Sequence, residues 1–124
     1  MKIVVGVDLA QYPHVKLKRD IALRLIEVIV EKHGTTRDLE EARRIILNFD
    51  EYYNIARKKS DGYLVVMKDP ADSLRKKSVV HKVRLLVENG EKVVEIVFDR
   101  NMSRELLISS LRETSFSEIE FTAI

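Results

Sequence analysis

Apolar and polar positions change period several times along this chain, and each change marks a boundary between elements. Ile3 to Leu9 is a near-continuous apolar run, the pattern of a strand covered on both faces. From His14 to His33 the apolar positions Leu17, Ile21, Leu25, Val28 and Ile29 recur at helical spacing, with Asp20, Arg24, Glu27 and Glu31 on the opposite face. Pro13 stands where such a helix begins and Gly34 where its C-cap is expected, so the pattern predicts a helix over 14–33. Asp38 with Glu41 three residues later has the form of a capping box. Leu39, Ala42, Ile46, Phe49, Tyr53 and Ala56 then follow in steps of three and four, which predicts one long helix running towards Lys59. A winged-helix division of that stretch, broken near Asn48, calls for a Gly or Pro that the segment lacks.

Tyr63 to Met67 is a second apolar strand. Asp69-Pro70-Ala71-Asp72 is a turn, opening a loop that ends in Arg75-Lys76-Lys77. Val79 to Val87 and Lys92 to Phe98 read as strands joined at Asn89-Gly90, the pair that supplies both left-handed residues of a type I′ turn. A two-residue loop sets the register. Leu85 meets Val94, Val83 meets Ile96 and His81 meets Phe98 on one face, while Arg84 meets Glu95 and Lys82 meets Val97 on the other. Met102 to Glu113 is a short helix. Ser117 to Ile124 alternates, with Ile119, Phe121 and Ala123 inward and the acidic Glu118 and Glu120 outward, as suits an exposed edge. The expected order is β-α-α-β-β-β-α-β in a single α+β domain over 1–124. It implies a mixed five-stranded sheet, its first two strands parallel, with helices mainly on one face in a ferredoxin-like variant.

Composition narrows the chemistry. With 124 residues and 45% apolar content the chain suits one core. Charged residues make up 34%, and no apolar run approaches the roughly 20 residues of a spanning helix. The brief N-terminal apolar run lacks the features of a signal peptide. The absence of cysteine excludes disulfides, thiolate nucleophiles and cysteine-based metal sites, and points to the cytoplasm. Abundant Lys, Arg, Glu and Ile with a single glutamine, Gln11, suggest a hot-adapted source. Net charge is only +2, but it is unevenly spread. Residues 53–84 hold nine Lys or Arg against three Asp, and residues 85–124 hold four against eight acids. A basic side and an acidic side are expected.

The basic segment is the leading functional feature. Arg57, Lys58 and Lys59 close the long helix, Arg75, Lys76 and Lys77 fill a loop, and Lys82 and Arg84 share one outward strand face. Such groups grip a phosphate backbone by releasing counterions, so the expectation is a non-catalytic module that binds nucleic acid, DNA or RNA, or an acidic partner. The competing candidate is Asp8, in Gly6-Val7-Asp8-Leu9-Ala10, which resembles the opening strand of ribonuclease H-like nucleases. That resemblance implies a Mg²⁺-dependent nuclease, with Asp69 best placed to join Asp8 at the metal. A third reading is an assembly module, a homodimer in which the basic loop, the acidic edge and the Tyr52/Tyr53-bearing helix meet. His14, His33 and His81 form no short-spaced metal pair, and His81 reads as a core histidine. Carboxylates at element ends, Asp99 among them, read as turn residues. No phosphate loop, nucleophile elbow or dinucleotide fingerprint is present, and no cofactor is implied.

Overall fold

The computed structural model describes residues 2–7, 12–59, 62–115 and 118–123. In chain order these form β1 (Lys2–Val7), β2 (Pro13–Lys18), α1 (Arg19–His33), α2 (Arg37–Leu47), α3 (Phe49–Ala56), β3 (Tyr63–Val65), α4 (Pro70–Leu74), β4 (Val80–Glu88), β5 (Glu91–Phe98), α5 (Arg104–Ser115) and β6 (Glu118–Ala123). All six strands join one sheet in the order β3-β4-β5-β2-β1-β6. Only β1 and β6 pair in parallel, and every other neighbouring pair is antiparallel. The chain is therefore α+β with a mixed sheet, as the pattern predicts. The expected inward and outward facing of the β6 side chains falls outside what is described. No helix among the described residues is long and apolar enough to cross a membrane.

The strand that the helical spacing hides is β2. Leu17 stands four residues before Ile21, so it satisfies the spacing of the helix that follows. The segment nevertheless alternates with period two: Val15 and Leu17 are buried while Lys16 and Lys18 are exposed. Pro13 is the first residue of the strand, where a missing N–H costs least. The sheet thus has six strands rather than five, and α1 starts at Arg19 rather than His14. With β2 paired to β1 and β5, strands β1 and β3 point the same way but have three others between them, so the expected adjacent parallel pair does not form.

One face of the sheet supplies Val5, Val15, Leu17, Leu64, Val66, Val83, Leu85, Val94, Ile96 and Phe98 to a single core. Against it lie Ala22, Leu25, Ile26 and Ile29 of α1, Leu39, Ala42, Ile45 and Ile46 of α2, Phe49 and Ala56 of α3, and Leu107 and Leu111 of α5. Burying a side chain the size of Leu25 or Ile29 is worth about 1.5–3 kcal/mol, more than the ~1 kcal/mol of a helix cap. The apolar stripe therefore places α1, which has no side-chain cap at its start.

The long helix is broken at Asn48 without Gly or Pro. Asn48 leaves helical geometry (φ −103°, ψ 46°) and its Nδ2 donates to the Arg44 carbonyl at 2.9 Å. The Arg19 guanidinium donates to the carbonyls of Ile46 and Leu47, both at 3.1 Å. Side chains thus satisfy the helix-end acceptors that a glycine cap would otherwise leave to the backbone. The stripe continues into α3 because Phe49 and Ala56 still reach the core.

The start of α2 also differs from the capping-box pattern. Thr36 is the N-cap, its Oγ1 accepting from the Leu39 amide at 3.4 Å, and Glu41 pairs with Arg44 at 2.6 Å. Asp38 is fully buried, and its Oδ2 accepts from the amides of Val79 (2.6 Å) and Val80 (2.7 Å) at the entry to β4. Removing that carboxylate leaves two buried N–H groups unsatisfied. Asp38→Ala is expected to lower stability by about 2–5 kcal/mol, Thr36→Ala by ~1 kcal/mol, and Glu41→Ala by under ~0.5 kcal/mol. Urea unfolding of the three variants gives the order.

Candidate functional site

The predicted hairpin register holds: Val83 pairs with Ile96, Arg84 with Glu95 and Leu85 with Val94, around a turn in which Asn89 and Gly90 both have positive φ. At its open end a β-bulge intervenes. Val80 pairs with Phe98 and Lys82 with Val97, leaving His81 as the extra residue. His81 is consequently not a core histidine opposite Phe98. It is half-buried, its ring tilted against Tyr12 with centroids 5.1 Å apart, and its Nδ1 lies 3.4 Å from Lys68 Nζ.

The eight predicted binding cations fall into three groups. Arg57, Lys58 and Lys59 are exposed in the turn that ends α3, just before β3. Lys82 and Arg84 lie on the sheet face away from the helices, both on the ring of Tyr63, at 4.1 and 5.2 Å from its centroid. Arg84 also meets Glu95 at 3.3 Å, and the Tyr63 hydroxyl donates to the same carboxylate. Arg75, Lys76 and Lys77 are exposed beyond the far end of β3, just past α4. The first and third groups therefore flank opposite ends of the β3–β4 pair, and the second lies between them. Arg37, donating to Met67 Sδ at 3.6 Å, adds a cation that sequence patterning passed over.

The backbone under Arg75–Lys77 is held in place. Asp69 caps α4, its Oδ1 accepting from the Ala71 amide at 2.8 Å. The Lys76 amide donates to the Ser73 carbonyl (3.1 Å) and the Lys77 amide to the Asp72 carbonyl (2.8 Å), the paired bonds of a Schellman closure. Lys76 occupies the left-handed position of that motif at φ 58°, where glycine is usual. His33 Nε2 meets the Lys77 carbonyl at 2.8 Å, tying the loop to the end of α1.

The second concentration of chemistry lies at one end of the sheet. Tyr12 precedes β2, Lys68 follows β3, His81 opens β4 and Asp99 follows β5; the strand directions bring these four points together. Lys68 Nζ donates to Asp99 Oδ2 at 2.6 Å, and Asp99 Oδ1 accepts from the Asn101 amide at 3.0 Å. Sequence patterning placed Asp99 only as an element-end carboxylate and missed Lys68 and Tyr12. The one signal for this cluster was four polar residues at strand ends that point the same way.

Asp69, the expected metal partner of Asp8, is engaged as a helix cap, and Asp8 lies outside the described residues. Among the described residues no three His, Asp or Glu side chains come together as a metal site. A shallow concavity of about 280 Å³ is lined by Arg19, Phe49, Asp50 and Lys92 among others. Its Lys92 pairs with Asp50 at 3.0 Å and its Arg19 is occupied by the end of α2. Comparison with protein families, characterised proteins and solved structures returns no match, so function is read from this geometry.

Burial pushes the His81 imidazole below its ordinary value, and the charges of Lys68 and Lys82 push it further, against a smaller opposing pull from Asp99. Burial raises the Asp99 carboxyl, but the Lys68 hydrogen bond, the Asn101 amide and the charges of Lys68 and His81 together outweigh it and hold the group below its usual range. Both groups thus bind protons more weakly in the folded chain than in the unfolded one, so acid favours unfolding. The His81 part of this loss begins as pH falls below 6.5 and is complete below its folded value. The Asp99 part is fully stabilising above 3.8 and is lost as pH falls through its folded value. Urea midpoints are expected to decline from about pH 6.5 downwards, and His81→Gln should flatten the upper part of that decline.

Proposed function

We propose that the chain binds nucleic acid through its phosphate backbone, along the β3–β4 side of the sheet. The observation that carries this reading is the pairing state of the cations. Elsewhere on the sheet Lys16, Lys18 and Lys92 are held by Glu88 (3.1 Å), Glu91 (3.5 Å) and Asp50 (3.0 Å). Among the described residues, no carboxylate pairs with Arg57, Lys58, Lys59, Arg75, Lys76, Lys77 or Lys82; of the eight, Arg84 alone is neutralised, by Glu95. Seven cations without a carboxylate partner among the described residues, set at the two ends of the β3–β4 pair and on the face between, stand out in a chain with net charge +2.

The shape of the track selects the ligand class. Its two exposed groups lie beyond either end of β3, whose three residues alone span about 10 Å at ~3.3 Å per residue, so the track reaches across several phosphates of a duplex strand, which rise ~3.4 Å each along the axis. A single small anion does not need such a length. The Tyr63 ring is engaged by Lys82 and Arg84, and the exposed groups of the track are cations, so the contacts proposed run to phosphates and recognition is independent of sequence.

The strain at Lys76 supports the same reading. A non-glycine residue in the left-handed region costs roughly 1 kcal/mol, and here that cost places a cation at the outer corner of the loop. Lys76→Gly should raise stability by up to ~1 kcal/mol while weakening binding.

The direct test is the affinity of labelled duplex and single-stranded oligonucleotides as a function of salt, by fluorescence anisotropy. Affinity should fall steeply with salt. Changing Arg75, Lys76 and Lys77 together to Ala should reduce the slope of log K against log salt by roughly 2–3, at ~0.7–0.9 for each phosphate no longer neutralised, with the unfolding midpoint unchanged or raised. Affinity unaffected by the triple change removes the reading. Binding of polyglutamate in place of either nucleic acid replaces it with recognition of an acidic protein.

A further inference from the structure

We propose that His81 Nε2 and the Lys68 ammonium, with Lys82 beside them, hold one phosphate group of the bound strand, and that this phosphate and a proton on His81 bind cooperatively. The inference rests on the nucleic-acid reading above and assigns it a specific, proton-linked contact.

Lys68 carries three N–H groups. One is used by Asp99 at 2.6 Å and a second points to His81 Nδ1 at 3.4 Å, which leaves one. Because Nδ1 is then the acceptor, the neutral ring carries its proton on Nε2. Among the described residues Nε2 has no protein partner, and the ring is only half-buried. Lys82, the next residue, brings an ammonium that no described carboxylate neutralises, resting over Tyr63. Two unused N–H donors and an adjacent cation at a partly dry sheet end form an acceptor site for a tetrahedral oxyanion. Among the described residues the carboxylate facing His81 is Asp99, which is turned to Lys68 with its second oxygen on the Asn101 amide, so its charge is already engaged.

Chain position points the same way. The segment from Lys68 to His81 contains Arg75, Lys76 and Lys77, so the proposed subsite forms both ends of the basic loop. A phosphate seated there continues the line of the three exposed cations. The β-bulge is what makes the contact available, since a regular strand would turn residue 81 into the core opposite Phe98.

The charges that face His81 are Lys82 on its own strand, Lys68 from the segment after β3, and Asp99 from the segment after β5; Tyr12 covers it from the segment before β2. With no ligand, burial and then the two ammonium groups oppose protonation of His81, and the Asp99 charge offsets them only in part. An arriving phosphate reverses that balance. Linkage then requires that protonation strengthen phosphate binding by the same factor.

The test is an NMR pH titration of the histidine side chains of the full chain at constant ionic strength, alone and with a short oligothymidylate or oligouridylate, beside anisotropy at pH 8 and pH 5.5. The His81 midpoint should move upward on binding, by about one pH unit for each tenfold gain in affinity across the range. His81→Gln, which keeps a neutral donor but does not titrate, should lose the gain in affinity between pH 8 and pH 5.5, whatever its affinity at pH 8. An oligonucleotide that binds while the His81 midpoint stays fixed, or a Gln variant that keeps the acid-dependent gain, overturns this subsite and leaves the broader reading standing. Absence of oligonucleotide binding at every pH and salt overturns both.

Discussion

Asp38 joins two parts of the chain that are distant in sequence. Its carboxylate is shut away from water and accepts from the Val79 and Val80 amides, some forty residues on. A carboxyl group buried in that position depends on those two donors to replace its lost hydration. The bond sets where β4 enters the sheet, with the basic loop immediately before it and the His81 bulge immediately after. Its other oxygen, Oδ1, is buried with no partner among the described residues, so the clamp is held at some cost. The basic loop and the histidine cluster are both positioned from this one contact.

From there the two sheet faces take different roles. The helix side is a dry core running from Val5 to Leu111, and it leaves little room for chemistry. The other side is covered by long polar side chains rather than by helices. There Glu95 is almost fully buried beneath Tyr63 and Arg84, and Val93 and Val97 are also covered. The charges on that face are largely paired, Lys16 with Glu88, Lys18 with Glu91 and Arg84 with Glu95, while Lys82 has no described carboxylate partner.

The strained loop and the end-of-sheet cluster have a common logic. Lys76 holds a conformation that glycine would hold more cheaply, and His81 occupies a bulge that interrupts an otherwise regular ladder. Departures from the locally cheapest arrangement tend to gather where a protein meets its ligand. Here both lie within one short segment, Lys68 to His81, which holds three of the cations without a described carboxylate partner.

The local pattern by itself determined the hairpin, the α+β class, the amphipathic stripes and the cap at Gly34. Each of these depends on residues a few positions apart: Asn89-Gly90 for the turn, three- and four-residue steps for the helices, Gly34 with φ 95° for the stop. It failed where two periods fit the same residues, as at Leu17, which belongs to a strand yet keeps the spacing of the helix behind it. It failed again at Asn48, where the break is made by Arg19, nearly thirty residues away, and at Asp38, whose partners are not Glu41 but two amides beyond the next strand. The convergence of Tyr12, Lys68, His81 and Asp99 was decided only by the order and direction of the strands. No local rule dictates which strand ends become neighbours, because that is settled by how one apolar face is buried against the helices.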